Sequence, residues 1–299
     1  MSIAVLIGVH DGIVIAADSA STLTISVAPG AAAGIANVYD NANKIFNLYK
    51  GQPIGCVTFG AGSIGNSSIG TLIKDLRVKL MDKDKAKNLV PPFDPENYTM
   101  EGVSKTTAQF LAQECQKYPA TMPAVNLGLL FGGYSTGQSL GDSWRVEIQG
   151  GIPTAPVQLR PPDQAGISWG GMGEAIHRIV LGFSPIIYQV LAEVSGGSGQ
   201  APTTAQQLFN QLNQLLLTRM QANLVFAPMP IQDAIDLGRF LVHASIMFSR
   251  FLPGAQMVGG PIEIAAITRH EGFKWIERKH YYDQQLNREA THVVVDRSE

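Results

Sequence analysis

Ser2-Ile3-Ala4-Val5-Leu6-Ile7-Gly8-Val9-His10-Asp11-Gly12-Ile13-Val14-Ile15-Ala16-Ala17-Asp18-Ser19 is the stretch on which the reading of the chain turns. Residues 3–9 and 13–17 are short apolar runs rich in β-branched side chains, joined by His10-Asp11-Gly12. Asp-Gly between two such runs predicts a β-hairpin, because the central positions of its tight turn need φ > 0. Both faces of each run are apolar, so the hairpin is expected inside a layered structure rather than at a wet surface. A turn at Asp11-Gly12 sets Asp18 opposite Val5, three residues or about 10 Å along the strand from Ser2.

Working outward, residues 44–49 and 53–59 form a second strand pair around Lys50-Gly51-Gln52, and the Ala/Gly-rich segment 27–37 between the pairs reads as a loop. Helical spacing of Ile69, Leu72, Ile73, Leu76 and Leu80 predicts a helix over 64–81. A charged, Pro-bearing stretch (82–97) leads to a second helix at 101–118, and strands resume at 125–131, 144–148 and 156–159. The glycines of 166–173 introduce a helix over 174–194. A break at 196–202 precedes a Gln/Leu-rich helix at 203–224, taken as an inserted packing or assembly element, and another helix at 231–251. Strands at 262–268 and 273–277 close the pattern. Strands come as hairpins and helices in blocks, which is α+β rather than alternating βαβ. No repeat or linker divides the chain, so residues 1–299 are read as one domain.

The chain has 299 residues, 45% of them hydrophobic, with 22 basic and 24 acidic side chains. At this length about three quarters of the unfolded surface can be buried, so no staple is needed. The even charge balance gives no phosphate-binding footprint and argues against nucleic acid as a partner. No apolar run approaches the roughly 20 residues of a membrane span. No Lys or Arg precedes the run 3–9 to make it a secretory signal. Cys56 and Cys115, far apart in apolar patterns, are no disulfide framework. A soluble cytoplasmic protein without membrane contact is the expectation.

Two glycine motifs invite enzymatic readings and lack their context. Gly60-Ala61-Gly62-Ser63-Ile64-Gly65 is a formal GxGxxG, but no strand returns after the next helix to complete a dinucleotide site. Gly166-Ile167-Ser168-Trp169-Gly170 is a formal GxSxG preceded by Arg160-Pro161-Pro162, a loop rather than the apolar strand a nucleophile elbow needs. The six histidines show no HxxxH or HExxH spacing, so neither a metal nor a cofactor is expected. His177 and His243 read as ordinary helix residues, and Trp144, Trp169 and Trp275 as core.

Ser2 offers different chemistry. It comes directly after Met1, and a small second residue permits removal of the initiator. Ser2 would then carry a hydroxyl and a free α-amine on one residue. With an ordinary pKa of about 7.7–8.0, that amine is partly neutral at physiological pH and can act as the base, with no histidine required.

The order of residues downstream of Ser2 resembles that of proteasome β-type subunits and their bacterial HslV-like relatives, the N-terminal-nucleophile (Ntn) hydrolases. With Ser2 at the family's terminal Thr, Asp18 falls without a gap on its active-site Asp. Lys44-Ile45-Phe46-Asn47-Leu48 is similar to the catalytic Lys and its strand. Gly55-Cys56-Val57-Thr58-Phe59-Gly60-Ala61-Gly62 is similar to the strand ending at the oxyanion glycine, which places that role on Gly60. Gly170-Gly171-Met172-Gly173 resembles the entry of the third family helix. Val258-Gly259-Gly260-Pro261-Ile262-Glu263-Ile264 and Gly272-Phe273-Lys274-Trp275-Ile276 resemble the closing motif and hairpin. The likeness covers 2–26, 44–80, 166–182 and 231–278, leaving insertions at about 27–37, 82–100 and 196–230 and an extension at about 279–299.

The resemblance implies a four-layer αββα sandwich with helical insertions. It implies a proteasome-like peptidase in which Ser2, Asp18, Lys44 and Gly60 are catalytic and Thr22 and Gly62 pair with an extended substrate. Peptide or unfolded-protein substrates, a homo-oligomeric ring and an ATP-dependent unfoldase partner come with it. The sequence departs from the family where the nucleophile is supported: Ala255 and Val258 stand at an Asp and a Ser, and Gly171 at another Ser, with Ser168 nearby. These departures motivate one alternative, a non-catalytic ring or scaffold subunit, and a second is an Ntn amidase acting on a small non-peptide amide.

Overall fold

A computed structural model describes residues 2–25, 34–118, 124–196 and 202–280. The hairpin that opens the chain, β1 (Ile3–Val9) and β2 (Gly12–Ala17), is buried almost throughout. Its turn lies at His10-Asp11 rather than Asp11-Gly12, with Val9 facing Gly12 and Val5 facing Ala16. Among the described residues no non-glycine has positive φ, and Gly12 serves for closeness, not for turning. A Cβ there would meet the Ile267 carbonyl oxygen at 2.7 Å and Ile231 Cδ1 at 2.8 Å. Moving the turn by one residue moves the pairing by two. Asp18 therefore lies opposite Ile3, its N–H donating to the Ile3 carbonyl at 3.3 Å, and not opposite Val5 as the simple register had it.

The remaining elements are, in chain order, these. β3 (Ser21–Ile25) and β4 (Gly34–Tyr39) pair as a separate two-stranded arm, followed by β5 (Ile45–Asn47) and β6 (Ile54–Gly60). β7 (Ser63–Ile64) and β8 (Ser67–Ser68) form a short hairpin before α1 (Ile69–Met81), α2 (Lys83–Lys87) and α3 (Met100–Gln116). Next come β9 (Leu127–Gly133), β10 (Asp142–Gln149), β11 (Ile152–Pro153), β12 (Val157–Arg160) and β13 (Gly166–Gly171). α4 (Glu174–Ile176) runs into a π-helical turn (His177–Leu181), then α5 (Ile186–Gly196), α6 (Pro202–Met220), α7 (Ile231–Phe251), β14 (Glu263–Thr268) and β15 (Gly272–Glu277). No helix among the described residues is long and apolar enough to cross a membrane.

The arrangement is mixed α/β, with two antiparallel sheets. One has the order β13-β1-β2-β14-β15; the other runs β11-β10-β9-β6-β5, with β12 also paired to β10. Strand alternation sorts the apolar side chains into three clusters. Ala4, Leu6, Ile13 and Ile15 of the first sheet cluster with Val57 and Leu130 of the second. Ile3, Val5, Ile7, Val14 and Ala16, on the opposite face, cluster with Ala234, Leu241 and Val242 of α7. Cys56, Leu129 and Phe131 cluster with Leu72, Ile73, Leu76 of α1 and Val103, Leu111 of α3.

Local signals explain where the helices start. Ser68 caps α1 by accepting from Thr71 N–H at 3.0 Å, so the helix begins at Ile69 and the preceding hairpin replaces its expected first turn. Thr99 caps α3 through Gly102 N–H. The run 166–173, expected only as the glycine-rich entry to a helix, contains β13 (Gly166–Gly171), an edge strand that pairs with β1 from Ile3–Gly171 to Gly8–Gly166. The single helix expected over 174–194 is broken at Gly182, where the π turn ends. Of the expected loop 27–37, residues 34–37 belong to β4 and the rest lie outside the described residues.

Candidate active site

Ser2, Thr22, Lys44, Gly60 and Gly62 line one cavity of about 40 Å³, so five of the six expected site residues meet at the end of the β1–β2 hairpin away from its turn. The sixth, Asp18, lies behind them with none of its surface exposed. Each position is set by a strand end. Ser2 precedes β1, Asp18 comes after β2, Lys44 precedes β5 and Gly60 ends β6. Thr58 N–H donates to the Lys44 carbonyl at 2.9 Å, extending the β5–β6 ladder to the lysine.

Asp18 is held from four directions. Oδ1 accepts from Ile3 N–H at 2.9 Å and from Lys44 Nζ at 2.5 Å. Oδ2 accepts from Ala20 N–H and Gly259 N–H, each at 3.1 Å. The carboxylate thus ties together the start of β1, the exit of β2 and the approach to β14. Burial pushes the Lys44 ammonium below its ordinary pKa, opposed by the charge and hydrogen bond of Asp18. Because Asp18 faces Ile3, it binds the amide next to Ser2, much nearer that residue than the expected register allowed.

The backbone of Ser2 is itself fixed, its carbonyl accepting from Met172 N–H at 2.8 Å. Gly171 passes against it at φ 94°, and a Cβ there would stand 1.9 Å from the Ser2 carbonyl oxygen. A serine at this position would therefore have no room. Gly60 also lies in the left-handed region, φ 98°, at the end of the ladder with β9, where a Cβ would stand 2.6 Å from the Asn126 carbonyl oxygen. Gly62 is less open than expected. Its carbonyl already accepts from Ile69 N–H at 3.0 Å, and a Cβ on it would meet Ser21 Oγ at 2.8 Å.

Three residues near Asp18 escaped the sequence reading. Ser19 Oγ donates to the Pro261 carbonyl at 2.6 Å and accepts from Lys279 Nζ at 2.8 Å. Lys279 Nζ is also 2.7 Å from Glu263 Oε2, a carboxylate that is 1% exposed. A Glu opening an otherwise apolar strand was the available signal; its partner, beyond β15, had none.

Other candidates fall outside the site. Ser168 sits in mid-strand facing Leu6 and accepts from Arg160 Nη2 at 2.7 Å, so it forms no elbow. Trp169 Nε1 donates to His177 Nε2 at 3.2 Å, and burial holds the imidazole below its ordinary pKa. Val258 is fully buried in the apolar cluster that contains Ile3, while Ala255 is exposed beside β4. Among the described residues no group of His, Cys, Asp and Glu is arranged to hold a metal ion.

No family model and no curated protein matches this sequence. Among solved structures the chain is similar to the Anbu (Gly-1) mutant from Hyphomicrobium sp. strain MC1, with a TM-score of 0.48 and 12% identity over 96% of this chain and 91% of that one. At that distance the likeness assigns no role to any residue, and the site rests on its own geometry.

Proposed function

We propose that this chain is an N-terminal-nucleophile hydrolase with the four-layer αββα sandwich of that class, acting as a proteasome-like peptidase through Ser2 once Met1 is removed. The observation that carries the reading is the company Ser2 keeps: it shares a cavity with Lys44 and Gly60, and Lys44 is held by a buried carboxylate that also binds the amide next to Ser2. The three apolar clusters, one between the sheets and one beneath each helical side, support the layered architecture.

In this mechanism Ser2 Oγ attacks the amide carbonyl while its proton passes to the α-amine of the same residue. The developing oxyanion takes a hydrogen bond from Gly60 N–H, a contribution typically of about 3 kcal/mol to the barrier. The ammonium returns the proton to the leaving amine, and water, deprotonated by the same amine, releases the acyl group. Lys44, as a cation, keeps the α-amine neutral by lowering its pKa. Ring assembly and delivery of unfolded chains by an ATP-dependent partner belong to the same reading.

Intact mass of the protein from its native host, followed by treatment with a peptide epoxyketone or β-lactone, tests it. Loss of Met1 and an adduct on Ser2 that disappears in Ser2→Ala are expected. Retained Met1 and no adduct would instead identify a non-catalytic scaffold subunit.

One observation favours the second enzymatic reading, an amidase of small non-peptide amides. The cavity is small, and Ser21 lies against Gly62 across the gap an extended peptide would enter. Peptide cleavage then requires β3 to withdraw from the Gly60–Gly62 segment. The contact suits a cross-link, because Cβ and the opposite sulfur of a disulfide are separated by about 3 Å. Oxidised Ser21→Cys/Gly62→Cys should lose peptide hydrolysis and regain it on reduction. Retained turnover of small amides in the oxidised form would select the amidase.

A further inference from the structure

Three buried charged side chains and a partly buried fourth lie together behind Ser2, and the proposed chemistry uses only Asp18 and Lys44. The other two form a second pair. Glu263 opens β14 and stands in the ladder beside Ala17, the residue before Asp18. By alternation it shares its face with Ala265 and Ile267, which belong to the cluster between the sheets. Lys279 lies just past β15 and folds back so that its ammonium sits between Glu263 Oε2, at 2.7 Å, and Ser19 Oγ, at 2.8 Å. Its side chain is 12% exposed and that of Glu263 2%.

We propose that the Lys279–Glu263 pair is a positioning element of the Ser2 site, fixing Ser19 and thereby Asp18 and balancing the charge around Lys44. Two geometric links support this. Ser19 is clamped on three sides: its hydroxyl between Lys279 and Pro261, its N–H donating to the Gly259 carbonyl at 2.9 Å, and its carbonyl accepting from Ala42 N–H at 2.9 Å. That residue is next in the chain to Asp18, and Gly259 returns an N–H to Asp18 Oδ2. The clamp therefore sets the angle at which the Asp18 carboxylate meets Lys44. Charge is the second link. Lys44 faces Asp18 from the end of β2, Glu263 from β14 and Lys279 from beyond β15; Lys279 faces Glu263, Asp18 and its neighbour Arg278. Glu263 favours the protonated Lys44 and Lys279 disfavours it. The second pair thus holds the lysine near the charge state that Asp18 alone would set, while shielding it from either excess.

Its consequence for catalysis rests on the proposed role of Ser2; the coupling itself does not. The two halves of the pair must act on Lys44 with opposite sign, which loss of structure alone would not produce. In a Ser2→Ala background, where no turnover is involved, NMR titration of the lysine ammonium groups locates Lys44 by the signal that Lys44→Met removes. Lys279→Met should raise the Lys44 midpoint and Glu263→Gln should lower it, each by about one pH unit. The double variant should return it close to its starting point, and Lys279→Arg should leave it there. Shifts of the same sign, or none, overturn the proposal, including where both single variants merely melt earlier. Opposite Lys44 shifts without any Ser2 adduct would leave the coupling standing and remove the proposed function.

Discussion

The layer between the sheets has two very different regions. At its centre Leu6, Ile15, Val57 and Leu130 are fully buried and wholly apolar. At its edge behind Ser2 lie Asp18 after β2, Lys44 before β5, Glu263 at the start of β14 and, from beyond β15, Lys279. Hydrophobic side chains of similar volume generally serve stability as well as a buried ion pair or better, since desolvation consumes much of the attraction. The centre is thus what stability alone would select. The edge is organised instead around holding one ammonium beside Ser2 and one carboxylate against three backbone amides.

The contrast is sharpened first by Asp18→Ala. It leaves Lys44 buried without its partner and three amide donors unmet, and should lower unfolding stability by about 3–5 kcal/mol in urea denaturation. A loss below about 1 kcal/mol would break the comparison, because the edge would then behave like an ordinary surface. Gly171→Ser comes next: positive φ alone costs about 1–3 kcal/mol, and the new Cβ displaces the Ser2 carbonyl. It should destabilise the protein and weaken the adduct formation proposed at Ser2, although serine is the residue of the family that the sequence resembles. At the centre, Ile15→Val should cost only about 1 kcal/mol and leave acylation untouched.

The smallest effect is one of pH. Burial holds Lys44 below its ordinary 10.5, so between its folded value and 10.5 the unfolded chain binds more protons than the folded one. Stability contributed by this group therefore climbs with pH through that window and is absent below it. Lys44→Met should remove the climb, read as the difference between the two proteins' stability curves up to about pH 10.5. Tyr98, pushed up to about 12 by burial, acts in the opposite sense but is common to both proteins and drops out.

Much of this was legible in the chain itself, and for identifiable reasons. The helix expected over 231–251 is α7 residue for residue, because a long apolar spacing had no competing signal. The paired runs at 3–17 and 44–59 are strands because β-branched and other apolar residues are concentrated there between turn signals. Gly166–Gly171 read only as the entry to a helix because its glycines suit a close approach to a sheet. It is a strand only because β1 offers an unpaired edge, a tertiary cause that no local window contains. The hairpin register failed likewise: Asp-Gly is a local preference, while Gly12 is held by its contact with β14 and α7. Within the site, Ser2, Asp18, Lys44 and Gly60 were singled out by the resemblance of their order to a known family, and the fold brings Ser2, Lys44 and Gly60 to one cavity with Asp18 bound to Lys44. Lys279 was not, since a lysine in a polar stretch becomes notable only when the fold brings Glu263 to it.

The position of Lys279 gives the site a timetable. During synthesis Ser2 emerges first, Asp18 and Lys44 soon after, Glu263 far later and Lys279 last of the four charged groups. A nascent chain that has already paired its opening strands gains Glu263 before the cation that matches it. The surroundings of Ser2 are complete only after the closing strands have been made, so this charged edge cannot be assembled before translation has passed Lys279.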